Sequence, residues 1–210
     1  MKSMKKISLI ALVAIFSISF ASAQVGLQAG YSISTNANNE ISLNGFHAGP
    51  IYNLSIQGPV SLQYGLLYNY LTKKSEGTFM GITGTSTTTA HRLDIPFRVT
   101  ASFPLSGNVS AFIFGGPNFN LGLMQKTDGT ADFWGVGSGY IEGDNIYKSE
   151  MSDGSKRYSM FDLQLGAGAG LKFNNLGVKF SYDWGMLDRD NSDSGIWKNN
   201  DMKVGLFVNF

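Results

Sequence analysis

Cysteine is absent from the chain, and the sequence holds only two histidines and five prolines among its 210 residues. Without cysteine there is no disulfide framework, no thiolate nucleophile and no thiolate metal site. The two histidines, His47 and His91, exclude a histidine-rich metal centre and leave few ways to build a Ser-His-Asp triad. The sequence therefore predicts no cofactor, no metal and no catalytic set, which favours a protein that is not an enzyme.

Long apolar runs are missing after residue 23, so no transmembrane helix is expected in the remainder of the chain. The N-terminus has Lys2, Lys5 and Lys6, then the uncharged run Ile7–Phe20, then Ala21-Ser22-Ala23. This order predicts a secretory signal peptide over residues 1–23, cleaved after Ala23. The apolar run is shorter than the roughly 20 residues of a spanning helix, which disfavours the alternative of an N-terminal anchor.

A basic footprint is also missing once the signal peptide is removed. The mature chain, residues 24–210, carries 13 basic against 15 acidic residues, a net charge of −2. This balance argues against nucleic acid as a partner. Since no linker-like composition divides these residues, we expect a single domain.

The mature chain does contain a repeated two-residue period. In Phe161–Phe173 every odd position is apolar and every even position is glycine, glutamine or charged, so a strand here has one apolar and one polar or empty face. The glycines leave space for bulkier side chains on that second face. Eight such strands are predicted, with a bulge near Gly115-Gly116-Pro117 in the fifth. They are Val25–Ile33, Phe46–Ile56, Val60–Tyr70, Leu93–Phe103, Val109–Leu123, Phe161–Phe173, Leu176–Met186 and Met202–Phe210.

Strand length, connections and aromatic placement favour a membrane barrel over a soluble β sandwich. The runs are long enough to cross an apolar band of roughly 25 Å. Tight turns alternate with long polar loops near 35–41, 75–90, 125–157 and 188–200, and aromatic residues fall near both strand ends. We therefore predict an all-β, closed, antiparallel up-and-down transmembrane barrel of about eight strands, ten being possible, in a bacterial outer membrane. A soluble, secreted barrel with the same strands is the alternative.

The inward-facing positions of this barrel hold charges of both signs. A small barrel is filled by its own side chains, and unpaired charges there would be costly, which predicts an ion-pair network in the lumen. The alternative is a path for protons or a small solute. The predicted network comprises Arg92, Asp94, Arg98, Asp162, Lys172, Lys179, Asp183 and Lys203, and His47 and Lys73 face the same way.

Several segments resemble those of a known family. Leu93–Phe97, Gly115–Pro117 with Phe119, Phe161-Asp162 and the terminal alternation are similar to the PorT-like and related small outer-membrane β-barrel proteins of Bacteroidetes. The resemblance covers nearly the whole mature chain and implies fold and location rather than activity. The last strand, which ends at Phe210, resembles the C-terminal insertion signal by which barrel-assembly machinery recognises its substrates.

Three functional hypotheses follow. The first is a non-enzymatic barrel with a packed polar lumen, surrounded by outer-membrane lipid and acting in envelope structure, in surface binding through its external loops, or in a membrane complex. The second is a narrow transporter or porin for a small or apolar solute. The third is a lipid-modifying enzyme that uses His91. A calcium loop at Asp188–Gly195 is disfavoured because its glycine spacing and closing residue are wrong.

Overall fold

The computed structural model describes residues 23–36, 42–80, 82–133, 137–192 and 196–210. The predicted signal peptide lies outside these residues except for Ala23, the first residue of β1. Within the described part, no helix is long and apolar enough to cross a membrane. The strands are β1 Ala23–Asn36, β2 Ser42–Gln57, β3 Val60–Gly65, β4 Leu67–Phe79, β5 Ile82–Ser106, β6 Val109–Phe133, β7 Gly137–Ile141, β8 Phe161–Phe173, β9 Leu176–Gly185 and β10 Asn199–Asn209.

The strands close on themselves in one antiparallel ring. β1 pairs with β2 on one side and with β10 on the other, the latter from Gly26 opposite Asn209 to Asn36 opposite Asn199. Around the ring the order is β1, β2, β3 with β4, β5, β6, β8, β9 and β10. The described residues thus form eight barrel staves, which confirms the predicted closed up-and-down barrel.

Ten strand labels arise for eight staves because one stave is interrupted and one strand lies outside the ring. β3 and β4 are separated only by Leu66, and both keep the same register with β5 on either side of it. The Leu66 amide donates to the Pro50 carbonyl at 3.0 Å, but Pro50 has no N–H to return the bond. Pro96, on the opposite neighbour, also lacks a donor, so the ladder is weakened at this one point.

Apolar side chains face outward and polar ones inward. On β10, Val204 and Leu206 are exposed, whereas Asp201 and Lys203 are buried. Two-residue turns join the strands at one end, which we call the turn end. The other end, the loop end, carries the longer connections and the extended ends of β4, β5 and β6. Gly58 and Gly107 take φ values of 56° and 53° in two of these turns, a left-handed conformation that glycine adopts without strain.

The loop end is more regular than the sequence predicted. Residues 75–79 and 82–90, expected to be loop, are strand, and so are 125–133. β5 and β6 each have 25 residues, well beyond the roughly 10 residues that cross a membrane. β7 pairs with β6 from Gly129 opposite Ile141 to Phe133 opposite Gly137. Together the ends of β4, β5 and β6 with β7 form a four-stranded sheet beyond the barrel, which we call the external sheet.

The predicted bulge at Gly115-Gly116-Pro117 is wrong. The register between β6 and β8 is constant across this segment, and the shifts in pairing with β5 lie between His91 and Arg92 and between Pro104 and Ser106. Gly116 absorbs the local irregularity through its φ of 147°, where a Cβ would overlap the carbonyl of the neighbouring strand. A backbone conformation that only glycine adopts without strain thus takes the place of the expected bulge.

Candidate functional site

The lumen is the candidate site because the alternation of every stave directs its polar side chains there. Seven of the eight residues predicted for the ion-pair network are buried, each 8% exposed or less: Arg92, Asp94, Arg98, Asp162, Lys179, Asp183 and Lys203. Lys172 is half-buried and lies near the turn end. The strands therefore bring charges that are far apart in sequence into one enclosed space.

Five of these residues lie in one connected set of ion pairs: four pair directly with one another, and the fifth, Arg92, joins them through Asp201. The guanidinium of Arg98 donates to the carboxylate of Asp183, whose other oxygen lies 3.4 Å from Lys203 Nζ. Lys203 Nζ is also 2.6 Å from Asp94 Oδ2. Buried charges of both signs at these distances compensate part of one another's desolvation cost.

Asp201 completes the set and was missed from the sequence. Its Oδ1 is 3.7 Å from Arg92 Nη1, and its Oδ2 is 3.9 Å from Lys203 Nζ. The predicted last strand began at Met202, three residues after Asn199, where β10 begins, and so left out Asp201. Extending the same two-residue period backwards would have placed Asp201 on the inward face with Lys203.

Asp162, Lys179 and Lys172 lie outside this set. Neither carboxylate oxygen of Asp162 accepts a hydrogen bond from a described side chain, and the charged groups that act on it electrostatically are Arg189, Asp201 and Arg92. Lys179 donates to Gln63 Oε1 at 2.8 Å and lies 5.4 Å from the ring centroid of Phe114. Of the eight residues of the predicted network, five are therefore connected by ion pairs and these three are not.

Neutral polar groups surround the charged centre. The imidazole of His47 is buried between the Gln28 amide, at 2.9 Å, and the Ser32 hydroxyl, at 2.8 Å. Asn118 donates to Gln164 at 2.7 Å, and Gln164 donates to Asp201 at 2.9 Å. These contacts fix the side chains around the ion pairs rather than leaving an open channel beside them.

An apolar layer crosses the lumen between the ion pairs and the turn end. It consists of the buried side chains Ile51, Leu67, Phe112, Phe114 and Phe207. The Phe112 and Phe207 rings meet edge to face, with centroids 5.7 Å apart. This apolar layer was not predicted, because its rings come from two different strands, β6 and β10, and interrupt the polar face of each at only one or two positions.

Glycines make room for the rings of the apolar layer. A Cβ at Gly168 would overlap the Phe114 ring, one at Gly170 the Phe112 ring, and one at Gly177 the Phe207 ring. The sequence predicted that the empty face of β8 accommodates bulky neighbours, and these contacts agree with that prediction. Since the rings occupy the space the glycines vacate, the lumen is filled across its width at this level.

At the loop end, Arg189 closes the lumen from outside. This buried side chain donates to Tyr147 Oη at 2.6 Å and to the Ser159 carbonyl at 3.1 Å. Its main chain also accepts from the Ser159 amide at 2.8 Å. Burial of the guanidinium lowers the pKa of Arg189, although arginine remains protonated in proteins. One residue thus joins the two long connections, 142–160 and 186–198, above the lumen.

A match to a family model gives the location of this barrel. The model of the outer membrane protein beta-barrel domain matches residues 16–191, most of the chain. The chain belongs to this family. As a member of the outer-membrane β-barrel family, it is an integral outer-membrane protein that crosses the bilayer with its strands, and its exposed apolar outer face is the surface that contacts lipid.

Solved outer-membrane barrels are similar to this family member over most of their length. Neisserial surface protein A is 12% identical, with 90% of this chain and 97% of that chain covered and a TM-score of 0.45. Ail of Yersinia pestis is 15% identical, with 90% and 99% covered and a TM-score of 0.35. The outer membrane enzyme PagL is 12% identical, with 87% and 99% covered and a TM-score of 0.45. No curated protein matches the chain in sequence.

His91, the candidate for lipid chemistry, lies on the outer wall of this barrel. It is hydrogen-bonded to the hydroxyl of Tyr68, and its ring meets the Tyr70 ring edge to face at 5.3 Å. The hydroxyl-bearing neighbours expected from Ser86–Thr89 lie farther along β5, in the external sheet. These contacts place His91 among aromatic side chains on the outer wall, of the kind that commonly lie at membrane interfaces.

The acidic segment 188–195 binds its own backbone in its described part, residues 188–192. Asp188 Oδ1 accepts from the amides of Asp190, at 3.0 Å, and Trp197, at 2.8 Å, and Asp190 accepts from Ser192 at 2.9 Å. Residues 193–195 lie outside the description. In the described ranges no three His, Cys, Asp or Glu residues are grouped as a metal site would require.

Proposed function

We propose that this protein is a closed, non-enzymatic outer-membrane barrel that acts through its external surface, in envelope structure or in binding a surface partner. The observation that carries the proposal is the filled lumen. Phe112, Phe114 and Phe207 cross it at one level, and the ion pairs centred on Asp183 and Lys203 cross it at the next. A solute would have to displace both layers, and opening the second would leave buried charges without partners.

The external sheet is the surface best suited to meet a partner. Its outermost strand, β7, is exposed along its whole length and has hydrogen bonds to β6 on one side. Tyr140 and Ile141 are 63% and 74% exposed, and an exposed strand edge is a common docking site for an extended segment of another protein. The length of the external sheet and its regular strand pairing distinguish it from the short connections at the turn end.

Biogenesis is part of the same proposal. Residues 1–23 would direct export, and barrel-assembly machinery would recognise the last strand, with Phe210 as its insertion signal. Phe210 is exposed, and its amide donates to the Val25 carbonyl at 2.7 Å, beside the seam between the first and last strands. We also propose that the protein falls in the PorT-like branch, on the sequence resemblance described above.

Solute efflux from vesicles tests the closed lumen. The purified barrel, reconstituted in liposomes loaded with glucose and with a small fluorescent dye, is expected to release neither above the rate of empty liposomes. Channel-like release of glucose would replace the proposal with the narrow-transporter hypothesis. An outer-membrane fraction and an unboiled gel confirm beforehand that the reconstituted protein is folded.

Substitution on the external sheet tests the site of action. The assay measures the detergent resistance of a strain that lacks this protein. A plasmid carrying the wild-type protein is expected to restore resistance, and one carrying Tyr140→Ser with Ile141→Ser is expected not to. Leu105→Ser is the matched control, because Leu105 is 61% exposed at the turn end. Equal restoration by all three plasmids would contradict a role for β7.

A further inference from the structure

The turn end of the lumen contains a cavity that the closed-barrel proposal does not use. Its volume is about 200 Å³, and Phe112 and Phe207 of the apolar layer form its floor. At roughly 30 Å³ per water, this is room for about seven waters or for one solute of monosaccharide or amino-acid size. The polar groups of its wall include the amides of Asn53, Gln63 and Asn209 and the hydroxyls of Ser61, Thr100 and Ser102.

The charge of this cavity has one sign. Lys172 is the one ionised side chain that lines it, and no carboxylate does. Lys172 forms no ion pair with a residue in the described ranges, unlike Arg98 and Lys203 in the centre of the lumen. An ammonium group beside neutral amides and hydroxyls favours an anionic solute and disfavours a cation.

A chain of hydrogen bonds fixes the amides of the wall. Lys179 donates to Gln63 Oε1 at 2.8 Å, Gln63 donates to Asn53 Oδ1 at 2.7 Å, and Asn53 donates to Asn209 Oδ1 at 3.0 Å. Because the chain begins at the Lys179 amine, a donor, each amide turns its oxygen toward the preceding donor and its nitrogen toward the next residue. Asn209 is the donor end of this chain and borders the cavity, which again suits a ligand that accepts hydrogen bonds.

We propose that this cavity binds a small polar solute through its carboxylate, with Lys172 as the charged contact and the Phe112 and Phe207 rings as an apolar floor for the carbon skeleton. The combination of a few convergent polar groups, one charge and an aromatic surface is the usual composition of a small-molecule site. Acidic sugars and the carboxyl ends of short peptides share this chemistry. The terminal sugar or amino acid of either ligand is small enough to enter the cavity.

Amide chemical shifts measured on the full folded barrel in nanodiscs test the proposal. Glucuronate probes the acidic sugar, N-acetylalanine the peptide terminus, and glucose is the neutral match to glucuronate. At least one of the two carboxylates is expected to give saturable shifts at Ser61, Thr100 and Ser102, and the one that binds more tightly identifies the source. Glucose is expected to bind at least about tenfold more weakly than glucuronate if the acidic sugar is the ligand.

Variants of Lys172 separate the charge from the cavity. Lys172→Gln is expected to weaken carboxylate binding about tenfold, and Lys172→Arg to retain it. Lys73→Gln, at the loop end of the lumen, is the control and should bind as the wild type does. The unboiled gel shows whether each variant is folded. Absence of saturable shifts with both carboxylates, or unchanged affinity in Lys172→Gln, would overturn the proposal.

Discussion

Replacing Asp183 with asparagine should destabilise the barrel strongly. In the native lumen this carboxylate is the ion-pair partner of Arg98 and lies 3.4 Å from Lys203. Lys203 keeps Asp94 at 2.6 Å after the substitution, whereas Arg98 keeps only carbonyl acceptors, those of Gly116 and Gly166. The main loss is therefore one buried guanidinium without a counter-charge, which costs about 3–5 kcal/mol in other proteins.

Urea unfolding of the barrel in lipid vesicles, followed by tryptophan fluorescence and by mobility on an unboiled gel, measures this loss. Glu76→Gln is the matched control, since Glu76 pairs with Lys74 at 2.6 Å but both side chains are more than half exposed, and its effect on stability should be small because solvent screens the pair. Replacing Arg98 and Asp183 together by apolar residues should cost less than the sum of the two single changes. An Asp183→Asn variant as stable as the Glu76→Gln control would show that Arg98 does not depend on this carboxylate.

Three further predictions concern other parts of the fold. Gly168→Ala should destabilise the barrel by about 1–3 kcal/mol in the same urea assay, because its Cβ overlaps a ring of the apolar layer and a carbonyl of β9, whereas Gly115→Ala, with its nearest atom at 3.5 Å, should be tolerated. The Gly143 amide, aided by Lys126, lowers the pKa of Asp128 below its ordinary 3.8. The ionised carboxylate therefore stabilises the external sheet above pH 3.8, and this contribution is lost as the pH falls through the lowered pKa. Hydrogen exchange at the Gly143 amide should rise over that pH range, and Asp128→Asn should abolish the change. Arg189→Met should make the connections above the lumen more sensitive to added protease without changing the urea midpoint of the barrel, and an unchanged digestion pattern would contradict the role given to Arg189.

The two-residue period explains why the barrel could be predicted from the sequence. In a strand the period fixes which face each residue occupies, so Arg92, Asp94, Arg98, Asp183 and Lys203 could be placed inward without knowing their partners. The alternation of short and long connections then indicates an up-and-down barrel with an even number of strands.

The parts that could not be predicted depend on partners from other strands. The external sheet carries little apolar alternation, because its threonines, serines and glycines face water on both sides, so its strands resembled loops. The apolar layer combines rings from β6 and β10 with glycines of β8 and β9, and no single strand contains that pattern. Arg189 reaches the lumen from a connection, where strand periodicity does not apply.

Single-channel recording across a planar bilayer is the most direct test of the filled lumen. Our expectation for the folded wild-type barrel is an absence of conductance steps above the bare bilayer, because the apolar layer and the ion pairs of Asp183 and Lys203 close the lumen at successive levels. Reproducible steps from the wild-type protein, at a rate that scales with the amount inserted, would contradict it.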